Sequence, residues 1–152
     1  MPDLKVLFSE LIRFETELWN AVDARLRSEH DLQLTWFEPM QVMSKHTGCR
    51  VFDIKEELSI TVGGASKLVD RIEAAGLCRR RPNPDDMRSQ IIELTPAGRR
   101  LLAKATKSFE DELRTRLESV VTGRALDQLV ATLTRLRAAN RALTSREQIV
   151  LG

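Results

Sequence analysis

The sequence predicts a mainly helical α+β fold that contains several amphipathic helices and one short β-hairpin. Apolar residues recur at steps of three and four over most of the 152 residues, as helix requires. Leu, Ala, Arg and Glu are frequent while aromatic residues make up only 5%, a bias that favours helix. The one β signal is a pair of short runs within 77–94, separated by a loop rich in Pro, Asn and Asp.

The N-terminal third predicts two helices. The first covers 3–28, with its apolar positions at helical spacing. Thr35 and Glu38 have the spacing of a capping box, in which each side chain accepts a backbone hydrogen bond from the other residue. A second helix is therefore expected over 36–46, with Pro39 in its first turn, where the missing N–H costs least.

The middle of the chain predicts a helix-turn-helix. A short helix is expected over 51–58 and a longer one over 62–75, and a tight turn around Ser59, Ile60 and Thr61 joins them. Thr61 suits the N-cap of the second helix. The glycine that follows this helix at position 76 suits a left-handed C-terminal residue.

A hairpin and two long helices complete the prediction. Strands are expected over 77–81 and 90–94, and Thr95-Pro96 reads as a cap followed by proline at the first helical position. The helix that starts there should run to about residue 121, where Gly123 breaks it, and the last helix should cover 124–144. The apolar stripes of these helices and of the first are too long for a small core, so a second copy of the chain is the expected partner.

Charge is concentrated in the hairpin. The chain has a net charge of only +2, but residues 61–100 carry eight basic and five acidic residues. The densest positive region contains Arg79, Arg80, Arg81 and Arg88. A helix-turn-helix followed by a basic hairpin can place one helix in a DNA major groove and a loop beside it. The alternative is a solvated basic turn without a nucleic-acid role.

Other functional classes lack their signatures in the sequence. We find no nucleophile–base arrangement, paired carboxylates, phosphate-binding glycine loop or cofactor motif, so an enzyme is not expected. Cys49 and Cys78 have no disulfide or metal spacing, and His30 and His46 have no supporting ligand cluster. No apolar run has membrane length, and a reducing cytoplasm is the expected setting. A redox role for either thiol is the minor alternative to a small buried residue.

With these residues in view, the chain resembles the MarR family of winged helix-turn-helix transcription regulators. The resemblance rests on three segments in order, which are Asp70-Arg71-Ile72-Glu73-Ala74-Ala75-Gly76-Leu77, Asp86-Met87-Arg88 and Leu94-Thr95-Pro96-Ala97-Gly98. It implies a homodimer whose long N- and C-terminal helices interlock, over 1–30 and 100–152, and a DNA-binding winged domain over 31–99. It also implies a ligand-responsive cleft between the two regions and, most often, a repressor.

The expected DNA contacts come from the second helix of the helix-turn-helix and from the hairpin. Exposed polar groups on that helix can reach base edges or phosphates, and an arginine at the tip of the hairpin suits a narrow minor groove. In the family, the aspartate two residues before this arginine orients it. The expected contacts are Thr61, Gly63, Gly64, Ser66, Lys67, Arg71, Arg79, Arg81, Asp86, Arg88 and Ser89.

Some of these roles have local alternatives. Asp70 and Glu73 could pair with Lys67 or Arg71 on a merely solvated helix face. Because side chains alternate along a strand, the three consecutive arginines of the hairpin cannot all face DNA. Gly63 and Gly64 stand where larger polar residues are common in the family, so direct base reading is expected to be limited there, and the backbone could approach DNA closely.

A cleft for a small aromatic or phenolic effector is a further expectation. Pockets of this kind are mostly apolar with a few polar anchors. The candidate lining residues are Phe14, Trp19, Trp36, Phe37, Met43 and His46, whose alternative is an ordinary core. The competing function for the whole chain is a winged-helix module that binds another protein without specific DNA binding.

Overall fold

The structure is a computed structural model that describes residues 1–151, with side chains described through Val150. The helices and strands in this range are α1 (Leu4–His30), α2 (Leu34–Lys45), α3 (Val51–Leu58), α4 (Val62–Ala74), β1 (Cys78–Pro82), β2 (Gln90–Leu94), α5 (Pro96–Leu113) and α6 (Gly123–Leu151). β1 and β2 form an antiparallel hairpin in which Cys78 pairs with Leu94 and Pro82 with Gln90. The predicted fold class is confirmed, because the described residues are mainly helical with one small sheet.

The chain divides into two compact units. The first covers Met1–Glu112 and the second begins at Leu113. The first unit contains α1 to α4, the hairpin and almost all of α5. A π-helical segment, Arg114–Glu118, and α6 belong to the second unit. The predicted assignment of 1–30 and 100–152 to dimerisation and of 31–99 to DNA binding stays a prediction.

The core of the first unit gathers apolar side chains from every helix-turn-helix element and from the hairpin. The side chains that are less than 2% exposed include Leu26, Phe37, Met40, Ile54, Ile72 and Ile92. The Ile92 backbone N–H donates to the Cys49 carbonyl at 2.7 Å, which attaches the start of α3 to β2. The position of the hairpin beside the helix-turn-helix is therefore fixed by both packing and a backbone hydrogen bond.

The start of α2 differs from the prediction. The helix begins at Leu34 rather than at 36, and Thr35 lies inside it, so the predicted capping box is wrong. The Leu34 N–H instead donates to the Asp23 carboxylate of α1 at 2.9 Å. A group from another helix thus satisfies one of the free donors at this helix end. Pro39 consequently lies in the second turn rather than the first, within the helix and buried.

The last predicted helices also need correction. The α-helical part of α5 ends at Leu113 instead of continuing to about 121, and the π-helical segment follows it. A break before the last helix is present over 119–122, but Gly123 is not the breaking residue that was predicted. α6 starts at Gly123, and the Thr122 hydroxyl accepts from the Ala125 N–H at 3.2 Å. α6 then continues to Leu151, beyond the predicted end at 144.

Gly98 brings the first turn of α5 against the hairpin. The Thr95 hydroxyl accepts from the Gly98 N–H at 3.1 Å and donates to the Gly76 carbonyl at 2.7 Å. A Cβ atom on residue 98 would lie 1.9 Å from the Leu77 carbonyl oxygen, far inside contact distance. Only glycine fits this approach, which explains the Thr-x-x-Gly spacing at the start of α5.

Candidate nucleic-acid interface

The helix α4 presents one polar face to solvent. Thr61 caps it by accepting from the Gly64 N–H at 3.0 Å, as predicted, and Gly76 has the expected left-handed φ of 76°. Ala65, Val69 and Ile72 are fully buried. The opposite face exposes Gly63, Lys67, Asp70 and Arg71, with Gly64 and Ser66 half-buried beside them. The predicted contact residues on α4 therefore share one accessible face.

Arg80 joins this helix to the hairpin. Its guanidinium Nη1 donates to the Asp70 carboxylate at 2.6 Å and to the Glu73 carboxylate at 3.3 Å. The Arg80 backbone N–H donates to the other Glu73 oxygen at 2.9 Å. Asp70 and Glu73 thus pair with Arg80 rather than with Lys67 or Arg71. The sequence did indicate that Arg80 differs from Arg79 and Arg81, because side chains alternate along a strand and place Arg80 on the opposite face.

Arg79 and Arg81 lie on the opposite, solvent-exposed face of β1. Arg79 Nε donates to Glu93 at 2.7 Å and Arg81 Nε donates to the same carboxylate at 3.2 Å. The hydrogen bond from Arg79, followed by that from Arg81, lowers the pKa of Glu93 below its usual range. Their side chains remain 64% and 45% exposed, against 18% for Arg80. One carboxylate shared between two guanidinium groups leaves this face of the hairpin positively charged.

The wing, defined as residues 83–89 between the strands, is held by short polar contacts. Asp86 accepts from the Arg88 backbone N–H at 2.9 Å, and the Asn83 amide donates to the Ser89 hydroxyl at 3.1 Å. Asp86 therefore fixes the backbone of Arg88 rather than its guanidinium. Within the described residues, the exposed Arg88 guanidinium forms no ion pair with a carboxylate, so its donors face solvent.

A groove of about 620 Å³ opens between the wing, α4 and the start of α3. Ser66, Arg88 and Ser89, three of the predicted contacts, line it together with Arg50 and Phe52. Sequence reasoning missed the last two. Their signal was weak, because a single arginine before a short helix and an aromatic residue within it have no distinctive spacing.

The six predicted effector residues are not gathered around one cavity. Phe37 is fully buried against Phe109, with ring centroids 4.8 Å apart, and Met43 is also buried. His46 is exposed and hydrogen-bonds Glu57 at 2.8 Å. The remaining three are exposed or half-buried, namely Phe14, Trp19 and Trp36. Phe37 and Met43 are thus part of the core, and an effector site in this set stays a prediction.

Both cysteines lie in the core. Burial raises the pKa of Cys49 to about 12 and that of Cys78 to about 11. A thiol must be accessible and ionised to react with oxidants, so this setting disfavours redox sensing. Among the described residues, no group of three or more His, Cys, Asp or Glu side chains could hold a metal ion. Likewise, no described helix is long and apolar enough to span a membrane.

Comparison with known proteins matches these features. A family model described as MarR family matches residues 30–89. An uncharacterized HTH-type transcriptional regulator of Bacillus subtilis, YfiV, is 23% identical over 88 residues, which are 58% of this chain and 55% of that protein. The multiple antibiotic resistance protein MarR of Salmonella typhimurium is 37% identical over 46 residues, which are 30% of this chain and 32% of that protein. The chain thus spans about half, or less, of the curated relatives it matches.

A solved structure extends the likeness beyond the matched segment. The chain is similar to Staphylococcus aureus MepR in complex with DNA, with a TM-score of 0.77 and 25% identity over 87% of this chain and 97% of that one. The winged helix-turn-helix segment therefore matches the MarR family model, and the fold shared with MepR extends this similarity over most of the chain.

Proposed function

We propose that this protein is a sequence-specific DNA-binding transcriptional regulator that acts as a homodimer. The observation that carries the proposal is the exposed polar face of α4, joined through Arg80 to a wing whose Arg88 guanidinium has no carboxylate partner among the described residues. The crystal structure of a MepR–DNA complex supports the same use of this fold. Such a regulator works in the compartment that holds the DNA, here expected to be the cytoplasm.

In this proposal, α4 enters a major groove. Lys67 and Arg71 can donate to guanine edges, while Ser66 can bind a base or a phosphate. Gly63 carries no side chain and nothing lies within 4 Å of where its Cβ would be, so the helix backbone can approach DNA closely at that point. The Thr61 hydroxyl oxygen already accepts the capping hydrogen bond, and its hydrogen can be donated to a DNA phosphate.

The hairpin supplies the remaining contacts. Arg88 is exposed at the wing and fits a flanking minor groove, where the potential is most negative. Arg79 and Arg81 face solvent together and suit phosphates, which fix the position of the protein without reading sequence. Asp86 acts by holding the backbone of the wing tip, and Ser89 adds a hydroxyl beside it.

Exposed apolar surface supports the homodimer. The N-terminal part of α1 exposes Leu4, Leu7, Phe8 and Leu11, each at least 42% accessible. None of the α6 side chains described, 123–150, is buried, although apolar residues recur along this helix. Burying these faces against a second copy removes apolar area from water. Two-fold symmetry then predicts a pseudo-palindromic operator with half-sites ~34 Å apart, or a multiple of that spacing.

Repression and response to a small aromatic or phenolic effector complete the proposal. An effector changes DNA affinity only if it binds one arrangement of the two winged domains better than another. Both repression and effector response are expected from the resemblance to the MarR family. A melting-temperature screen with aromatic carboxylates and phenols, followed by operator titration, tests them together.

Selection from a random duplex pool tests the regulator proposal. The full chain, confirmed as a dimer by sedimentation equilibrium, should enrich an inverted repeat over successive rounds. Arg88→Ala should keep the dimer and lose most of the enrichment. A folded dimer that enriches no sequence would contradict the proposal and favour the alternative, a winged-helix module that binds another protein.

A further inference from the structure

The groove beside the wing has two basic walls. On the wing side lie Arg88 and Ser89, and on the opposite side lie Arg50 and Phe52, at the start of α3. Ser66 of α4 lies between them. In the described part of the chain, none of the residues that line the groove is acidic. The volume of about 620 Å³ is open to solvent and complements an extended anion rather than an apolar ligand.

The Arg50 guanidinium has N–H donors that are not used in hydrogen bonds within the described residues. Its Nε lies 3.8 Å from an Asp53 carboxylate oxygen, which is beyond hydrogen-bond distance. That same oxygen already accepts from the Arg50 backbone N–H at 2.8 Å. Within the described residues, the Arg50 guanidinium makes no hydrogen bond, and its side chain is 45% exposed. Arg50 forms an ion pair with Asp53, but it can donate to an incoming acceptor without breaking an internal hydrogen bond.

Two cationic side chains lie near the ring of Phe52 on the α3 side of the groove. Phe52 is 53% exposed, and the Arg50 Cζ and Lys55 Nζ atoms lie 5.9 and 5.4 Å from its ring centroid. These distances allow cation–π attraction, which restrains long cationic side chains at a surface. The ring thus positions Arg50 beside the groove before any partner arrives.

We infer that this groove holds the sugar–phosphate backbone of one DNA strand and that Arg50 binds its phosphate from the side opposite Arg88. The inference rests on the proposed function and adds a contact to it. Charge complementarity supports the occupant, and so does continuity with Ser66, Arg88 and Ser89, which belong to the proposed interface. Phe52 is a positioning residue that acts through Arg50.

The test compares Arg50→Ala with Arg100→Ala in the full chain. Arg100 is exposed on α5, about 200° around the helix from buried Leu102, and it provides a charge-matched control. Affinities are measured across a salt series for a selected duplex and a shuffled duplex of equal length. Arg50→Ala should weaken binding to both duplexes by about tenfold and lower the salt slope by ~0.9 for each lost phosphate contact. Arg100→Ala should change neither value.

Two further variants separate charge from structure. Arg50→Lys should restore most of the salt slope, and Phe52→Ala should weaken binding less than Arg50→Ala while leaving the slope closer to that of the wild type. Unchanged affinity and slope for a folded Arg50→Ala protein would overturn the inference while wild-type binding still upheld the regulator proposal. Loss on the selected duplex alone would also overturn it, because that result assigns Arg50 to a base. Absence of wild-type binding to either duplex would overturn both proposals.

Discussion

The Arg80 guanidinium and the Asp70 carboxylate, 2.6 Å apart, connect the first strand of the hairpin to the exposed face of α4. Glu73 accepts from both the side chain and the backbone of Arg80. Arg80 therefore fixes the distance between the two parts of the proposed interface, although its own guanidinium is directed at protein carboxylates. The same contact places the positive charge of Arg80 beside the Asp70 carboxylate, which weakens the repulsion between Asp70 and a DNA phosphate.

Arg80→Ala should damage both stability and DNA binding. Because Asp70 is 61% exposed, solvent screens the pair, and we expect a loss of only about 1–2 kcal/mol in the free energy of unfolding. DNA affinity should fall even under conditions where the Arg80→Ala protein is fully folded, because the wing and α4 lose their fixed spacing. Urea unfolding and duplex titration measure the two effects, and Arg100→Ala is the control. Wild-type affinity in the Arg80→Ala protein would refute the positioning role.

Gly98 and Gly63 should respond oppositely to alanine. Gly98→Ala places a Cβ against the Leu77 carbonyl at 1.9 Å, so we expect destabilisation of about 1–3 kcal/mol or more. Gly63→Ala meets no atom within 4 Å and should stabilise α4 by up to about 1 kcal/mol. The second variant should nevertheless bind the operator less tightly, because the new methyl group separates the helix from DNA. Tighter binding by Gly63→Ala would show that no close approach occurs there.

Glu93 should contribute to acid sensitivity. Its pKa is lowered in the fold, chiefly by the hydrogen bond from Arg79, from an ordinary value of 4.5. A depressed pKa means that the contribution is complete above the unfolded value and is lost as pH falls through the folded value. Urea midpoints measured from pH 6 down to pH 3 should therefore fall less steeply for Glu93→Gln than for the wild type. Parallel curves for the two proteins would show that the carboxylate makes no such contribution.

The buried thiols should be inert in the native protein. With pKa values raised to about 12 for Cys49 and about 11 for Cys78, the thiolate fraction at pH 8 is at most about 0.1%. A colorimetric disulfide reagent should label neither cysteine on the timescale of minutes, and both should react after denaturation. Peroxide should leave operator affinity unchanged. Rapid labelling of native protein would indicate an opening that exposes the core.

Local signals were sufficient to predict α4 and the hairpin. The Thr61 cap, the buried spacing of Ala65, Val69 and Ile72, and the left-handed Gly76 all lie within α4 or next to one of its ends. Each of these features depends on its own neighbours, so the sequence contains the information directly.

Features that depend on distant residues could not be predicted. The start of α2 is set by Asp23, eleven residues before the Leu34 N–H that it accepts from. Strand alternation separates Arg80 from Arg79 and Arg81, but the pairing of Arg80 with Asp70 follows from the crossing of α4 and β1, which no local spacing reveals. The early end of α5 at Leu113 comes from a π-helical segment, for which the periodicity of residues 96–121 gave no sign.

The first measurement for sequence-specific DNA binding is a salt-series titration of wild-type and Arg88→Ala proteins on the selected and shuffled duplexes. Wild-type protein should bind the selected duplex tightly and in preference to the shuffled one, and the slope of log K against log salt concentration should be about −0.9 for each neutralised phosphate. The folded, dimeric Arg88→Ala protein should bind at least about tenfold more weakly, because a minor-groove arginine is lost. Equal and weak wild-type binding to both duplexes, or wild-type affinity in the Arg88→Ala protein, would show that the protein is not a specific regulator of this kind.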